Sequence, residues 1–225
     1  MMRHTDSQYE TELATLTRST YAMGLRAEQM VQNAVRALVE RDGGLARSVV
    51  QSDDALDADE MEIDRQCLHL LVRRAPVGED LRLVVAVLKL VTDLERVGDL
   101  AVNISERALD LMQKPGFGPT PEMHDLAERA CKILNVSNRA FRDRDCAAAR
   151  GLFDLDREID DLNRRAFAQL LQLAESHSHD ITRILSLSNV CKHLERVGDH
   201  AVNIGERVVY LVEGEDLRHG QGAPD

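Results

Sequence analysis

Four pairs of acidic residues have a spacing that could do chemistry. Asp53 and Asp57, Glu95 and Asp99, Asp156 and Asp160, and Glu195 and Asp199 are each four residues apart. On a helix this spacing puts both carboxylates on one face, with Cβ atoms about 6 Å from each other. Glu60 and Asp64 continue the first row, whereas Asn163 and Phe167 stand at the matching places beyond Asp160. Asn103 and Glu106 follow Glu95 and Asp99 along the shoulder of their helix, as Asn203 and Glu206 follow Glu195 and Asp199, and these four are possible further ligands or supports. If each Asp pair lies on the antiparallel neighbour of a Glu/Asp pair, four carboxylates meet at one place. Charges of one sign must then be relieved by raised pKa values, by basic partners or by a bound cation. The cation is the economical answer, and carboxylate with amide oxygen favours Mg²⁺, Ca²⁺, Mn²⁺ or iron over a thiolate zinc site.

The plain alternative is a solvated acidic face, the ordinary fate of charged residues on a long helix. Against it stand the recurrence of the pattern and the glycines beside it, Gly98 and Gly198. A mid-helix glycine costs about 1 kcal/mol relative to alanine, and close approach of a neighbouring helix explains the expense. Both readings stay open on these grounds. Other chemistry finds less support. The eight histidines include His177 and His179 in a loop, but no Glu-x-x-His pair of the kind that di-iron helical bundles use. His193 and His200 are expected on the outward face of the last helix. No glycine-rich phosphate loop is present, and no serine or cysteine sits in a nucleophile motif, so no catalytic residue is assigned.

The elements that must position these acids come in two copies. Leu94 to Arg107 reads LERVGDLAVNISER and Leu194 to Arg207 reads LERVGDHAVNIGER, identical at 12 of 14 positions at an offset of 100. Upstream, Ala37 to Asp53 and Ala140 to Asp156 share Ala, Arg, Asp and Ala-Arg positions at an offset of 103. The chain is therefore a tandem duplication. Apolar residues recur at three- and four-residue spacings with few breakers inside each segment, which predicts three long helices per half. The helices are expected near 8–40, 42–76, 79–113, 122–143, 145–174 and 180–213. Asp42 suits an N-cap, and Glu79 and Asp80 suit the first turn of the third helix. Residues 114–121, with three prolines and two glycines, form the linker, and 214–225 reads as a flexible tail. The predicted class is all-α: two tandem three-helix bundles, 8–113 and 122–213, following one another as an elongated rod.

Composition narrows the function classes. With 225 residues, 28 Lys+Arg and 39 Asp+Glu, the formal charge is −11, which argues against nucleic-acid binding by charge. Aromatic residues are 3% and tryptophan is absent, too few for base-stacking platforms. Cys67, Cys131, Cys146 and Cys191 form no CxxC pair and read as reduced, mostly core-facing thiols of a cytoplasmic protein. The polar start and the short apolar runs offer neither a signal nor a membrane span.

The doubled E-R-V-G-D-x-A-V-N-I, the run PVGEDLRLVVAVLK from Pro76 to Lys89 and the acid-x-x-x-Asp pairs resemble the PhoU family, the accessory proteins of bacterial phosphate-specific transport. The resemblance extends from about Tyr9 to Glu213. It implies two tandem three-helix bundles and a negative regulator of the phosphate-starvation regulon that also bears on phosphate uptake. Its partners would be the ATPase subunit of a phosphate ABC transporter and a sensor histidine kinase, with contact to the membrane only through them, and a homodimer is expected. The family has no established enzymatic activity. Its E(D)xxxD motifs bind multinuclear clusters of iron or zinc, and carried over by position they fall on Asp53, Asp57, Glu95, Asp99, Asp156, Asp160, Glu195 and Asp199. Two rivals from other classes are a metal-dependent helical-bundle enzyme, which turnover by the metal-loaded protein would reveal, and a metal store, which a load of many ions per chain would reveal.

Overall fold

The computed structural model describes residues 7–113, 116–176 and 178–215. Six helices account for nearly all of them: α1 Ser7–Glu40, α2 Gly43–Arg74, α3 Glu79–Met112, α4 Pro121–Asp143, α5 Cys146–Ser176 and α6 Ile181–Glu213, with a short 3₁₀ turn at Ser178–Asp180 before α6. Helices of 31 to 34 residues, as five of these are, measure about 50 Å. Part of the linker expected at 114–121, its first two residues, and most of the tail expected at 214–225, from 216 onward, lie outside the described residues, as does His177.

Four of the five breaks between helices have a local cause. Arg41 and Arg144 both take a left-handed conformation, φ 56° and 53°, and each is followed by an aspartate. Asp42 Oδ1 accepts from the Gly44 and Leu45 N–H groups at 2.9 and 3.0 Å, and Asp145 Oδ1 accepts from Ala148 N–H at 2.9 Å. The same capped corner thus opens α2 and α5, as the duplication requires. Ala75, left-handed just before Pro76, ends α2, and Pro121 starts α4 at its first turn.

The chain does not run as two bundles end to end; this corrects the expected rod. Helices α1, α2 and α3 pack together, as do α4, α5 and α6, but α3 also packs along α6 and α1 against α4. Arg82 reaches Leu211, Asp93 reaches His200 and Arg183 reaches Leu111, so α3 and α6 are antiparallel over nearly their whole length. The physical reason is a second apolar row. Leu83, Leu90, Val97, Ile104 and Leu111 on α3, and Val190, Val197, Ile204 and Leu211 on α6, recur every seven residues and are buried. They are additional to the stripe facing each helix's own bundle, so α3 and α6 are apolar over most of their circumference and must find a partner there. The result is one layer ordered α2, α3, α6, α5, with α1 and α4 forming a second layer behind it.

A buried polar key fixes the α1–α4 register. Glu28, 8% exposed, accepts from Gln32 at 3.1 Å on its own helix and from Asn135 at 2.9 Å across the interface, and Asn138 donates to the Gly24 carbonyl at 2.9 Å. A Cβ on Gly24 would lie 2.5 Å from Asn138 Oδ1. At the ends of the α3–α6 seam, guanidinium groups close the helix C-termini. Arg82 Nε donates to Leu211 O at 3.1 Å, while Arg183 donates to Leu111 O at 2.9 Å and Phe117 O at 2.8 Å. Each places positive charge on carbonyls that the helix itself leaves unpaired. The four cysteines are free, and burial pushes the Cys67 and Cys191 thiols up to about 12. Among the described residues no helix is long and apolar enough to cross a membrane.

Candidate metal centre

The acid rows lie in the two outer grooves of the four-helix layer. In the first repeat, α2 and α3 run antiparallel so that Asp53 and Leu56 lie over Gly98; a Cβ there would collide with Leu56 Cδ2 and stand 3.6 Å from Asp53 Oδ1. In the second, a Cβ on Gly198 would lie 3.1 Å from both Asp156 Oδ1 and Ile159 Cδ1. The two glycines thus let the aspartate-bearing helix close on its neighbour and hold a carboxylate over bare backbone. Close helix approach is their reason, as the spacing suggested.

The carboxylates along each groove act on one another. Removal from water, then the charges of Asp57, Asp99 and Asp54, raise the Asp53 carboxyl. Burial and Asp99 raise Glu95, against the opposing pull of Arg96, and Glu60 and Asp57 add to the rise. In the second groove Asp156 is pushed up to about 6, first by burial and then by Asp160, Asp199 and Glu195. Burial followed by Asp199 and Asp160 raises Glu195. Asp199 is raised chiefly by burial, while His200 and Arg196 act the other way.

The two grooves are not equivalent. Arg96 bonds Asp99 at 3.0 Å and Glu95 at 3.3 Å, so the first cluster already carries a cationic partner. Among the described residues none of Asp156, Asp160, Glu195 and Asp199 forms an ion pair. Glu60 and Asp64 extend the first cluster along α2; burial, then Asp64 and Asp57, raise the Glu60 carboxyl. In the side-chain rotamers of the structure, no three His, Cys, Asp or Glu among the described residues close on one point as ligands of a single ion do. The donor set is oxygen alone; Asp53, Glu95, Asp99, Asp156 and Glu195 are half-buried, and Asp57, Asp160 and Asp199 are exposed. It fits a hard cation in chemical type, with side-chain rotation needed to bring the oxygens together.

Two of the four accessory positions, Asn103 and Asn203, bond groups other than the paired carboxylates. Asn103 donates to the Asp99 carbonyl at 2.8 Å, bracing its own helix. Glu106 is exposed and lies 3.7 Å from Arg107, about 10 Å along α3 from Asp99. Glu206 occupies the matching turn of α6, half-buried. Asn203 faces the seam between the repeats, where it donates to Asp93 Oδ1 at 3.0 Å beside His200 Nδ1 at 2.9 Å. His200 is therefore not on an outward face: its side chain is 17% exposed, and that of Asp93 13%. His193 is also half-buried at the seam, and burial, then Arg196 and Arg107, depress its pKa. The side of α6 turned away from its acids is covered by α3 of the other repeat, which a single-helix projection does not reveal. Asp93 was not singled out from sequence. Its signal is a seven-residue row, Asp93, Leu100 and Arg107 against His193, His200 and Arg207, beside the buried one.

With this geometry in place, known proteins provide a context. The PhoU domain family profile matches residues 20–108 and again 123–208. A Pseudomonas putida protein described as a phosphate-specific transport system accessory protein PhoU homolog is 35% identical over 223 residues, covering 97% of this chain and 86% of its own. A Caulobacter vibrioides protein of the same description is 37% identical over 221 residues, covering 96% and 95%. The crystal structure of PhoU from Pseudomonas aeruginosa superposes with a TM-score of 0.87 at 34% identity, over 92% of this chain and 100% of that one. The phosphate transport system regulatory protein PhoU from Streptococcus pneumoniae superposes with a TM-score of 0.86 at 26% identity, over 92% and 98%.

Proposed function

Because this chain belongs to the PhoU family, we propose that it is a cytoplasmic negative regulator of the phosphate-starvation response and a modulator of phosphate uptake. It acts as an adaptor between a phosphate ABC transporter's ATPase subunit and a sensor histidine kinase, with no catalytic step of its own. The observation that carries this reading is the match of both helical repeats, and of nearly the whole chain, to accessory proteins of phosphate transport.

In this reading Asp53, Asp57, Glu95 and Asp99 hold cations in one groove, and Asp156, Asp160, Glu195 and Asp199 hold them in the other. Iron or zinc clusters are expected from the family, and oxygen donors also suit Mg²⁺, Mn²⁺ and Ca²⁺. Bound cations supply positive charge where helices meet. The residues themselves set helix spacing: Gly98 and Gly198 admit the aspartates, and Asp53 and Asp156 span the gap between neighbouring helices. Occupied grooves then favour one surface for partners to recognise. The long exposed helical faces suit docking, and a homodimer would present them twice.

Deleting the gene in its host is expected to raise a phosphate-regulated reporter in phosphate-rich medium, and restoring it should return output to low. Unchanged low output would refute the regulator. Alanine at Glu95, Asp99, Glu195 and Asp199 together should abolish metal in the purified chain and fail to restore repression; normal metal content would refute the assignment of the grooves.

A further inference from the structure

The outer α2–α3 groove has two chemically distinct halves. Toward the end of the hairpin, Leu68, Val72, Val77 and Leu81 are 59, 82, 74 and 40% exposed. The register set by Asp53 and Leu56 over Gly98, and by Cys67 Sγ at 4.0 Å from Val84 O, places Val72 beside Leu81 and Leu68 beside half-buried Val85. Asp64 lies beside half-buried Leu88, and Glu60 stands one turn further. Apolar surface therefore passes directly into the extended part of the acidic row. Glu60 and Asp64 make no hydrogen bond or ion pair among the described residues. Four large apolar side chains left in water beside unneutralised carboxylates mark an interaction surface.

We propose that this groove is a docking site for an amphipathic helix of a partner protein, with apolar side chains seated on Leu68, Val72 and Leu81 and Lys or Arg side chains over Glu60 and Asp64. From Val72 to Glu60 the groove runs about 18 Å along α2, the length of a helix of three turns and a little more. Charge complementarity decides the occupant. A second copy of this chain would set its own acidic groove or its net charge of −11 against the same carboxylates. An anionic lipid surface meets the same repulsion. Lys89 and Arg96 on α3 do not reverse it, since Asp57, Glu60, Asp64, Glu95 and Asp99 share the groove with them. The second repeat is a natural control, because Asn163 and Phe167 replace Glu60 and Asp64 there and leave an apolar tip without the adjoining acids.

This proposal builds on the adaptor reading, but its test uses neither metal content nor gene regulation, so the two can fail separately. A fluorescein-labelled synthetic peptide of about 18 residues, with leucines on one face of its first half and lysines in its second, is titrated with the full chain in about 0.15 M salt. Leu68→Asp/Val72→Asp and Glu60→Lys/Asp64→Lys should each weaken binding by about tenfold or more, whereas Leu171→Asp in the second repeat should change it less than about twofold. A scrambled peptide of equal charge should lose at least as much as these variants. Equal binding by the scrambled peptide, or equal loss from Leu171→Asp, would overturn the proposal. So would unchanged binding by both double variants, since attraction would then be charge without a site. If sedimentation shows self-association that Leu68→Asp/Val72→Asp abolishes, or if anionic vesicles retain the native chain but not this variant, the occupant is a second copy or a membrane and the proposal fails. Helix content by circular dichroism monitors folding, and Leu68→Ser/Val72→Ser replaces the Asp pair if that pair unfolds.

Discussion

The two repeats descend from one pattern and solve the same electrostatic problem differently. In the first, Arg96 spans Glu95 and Asp99, and the acidic row continues through Glu60 and Asp64 into an exposed apolar tip. In the second, four acids stand without an ion pair among the described residues, Asp156 is pushed up to about 6, and the row ends in Asn163 and Phe167. Duplication preserved the helix pair, the glycine contact and the arginine, Arg96 and Arg196, while Glu60 and Asp64 became Asn163 and Phe167. The acidic row of the second groove is short; that of the first is longer, carries the Arg96 ion pairs and opens toward the apolar tip. In the proposed reading the second groove holds a cation more tightly and the first meets a partner.

The same asymmetry appears where each repeat secures the other, and there the largest stability effect is expected. Arg183 is 7% exposed and bonds two carbonyls, whereas Arg82 bonds one at a more open position. Arg183→Ala should cost about 3 kcal/mol and Arg82→Ala about 1 kcal/mol. Urea unfolding of the two variants decides this, and equal losses would remove the distinction between the ends. Next is helix spacing. A Cβ on Gly205 would lie 2.5 Å from Leu152 Cδ1 and 3.1 Å from the Ala149 carbonyl oxygen, whereas the first repeat has Ser105 at the matching place. Gly205→Ala should therefore cost about 2 kcal/mol despite its better helix propensity, and Ser105→Gly only about 0.5 kcal/mol. A stabilised Gly205→Ala chain would show that the α5–α6 pair can open without loss.

Removing Arg96 should bring the grooves closer together. Arg96→Met frees Glu95 and Asp99, and calorimetric titration should show the first groove binding Mn²⁺ about fivefold more tightly, roughly 1 kcal/mol. No change would mean that solvent already screens the Arg96 charge. The smallest effect is on pH dependence. Asp156 binds its proton more tightly in the folded chain than in the unfolded one, so its contribution favours folding at low pH. It is fully present below the unfolded value near 4 and is lost as pH rises through about 6. In chelator-treated protein, Asp156→Asn should flatten that part of the melting-temperature profile more than Asp53→Asn does. Identical profiles would place the two clusters in the same electrostatic state.

Much of this molecule was legible in its residues because the signals are local. Six helices, their breaks at Asp42, Pro76 and the linker, and the duplication follow from periodicity and from capping chemistry that acts within a few residues. The four acid pairs were legible for the same reason: spacing of i and i+4 has one meaning on a helix. Asn203 and His200 were misplaced because their surroundings depend on which neighbour covers the back of α6, and that neighbour lies a hundred residues away in sequence.

The helices, the tandem repeat, the acid rows and the glycines beside them are written in the residues alone, since each depends on contacts within a helix or on a motif repeated intact. That the bundles lie side by side, and that Arg82 and Arg183 close opposite ends of one seam, came from the packing of helices far apart in the chain, whereas Arg96 pairs with acids of its own helix. The reason is that burial at a seam is a property of the space two helices share. Val97 and Val197 read alike as helix positions, and only the antiparallel register of α3 on α6 brings the rows they belong to into one interface.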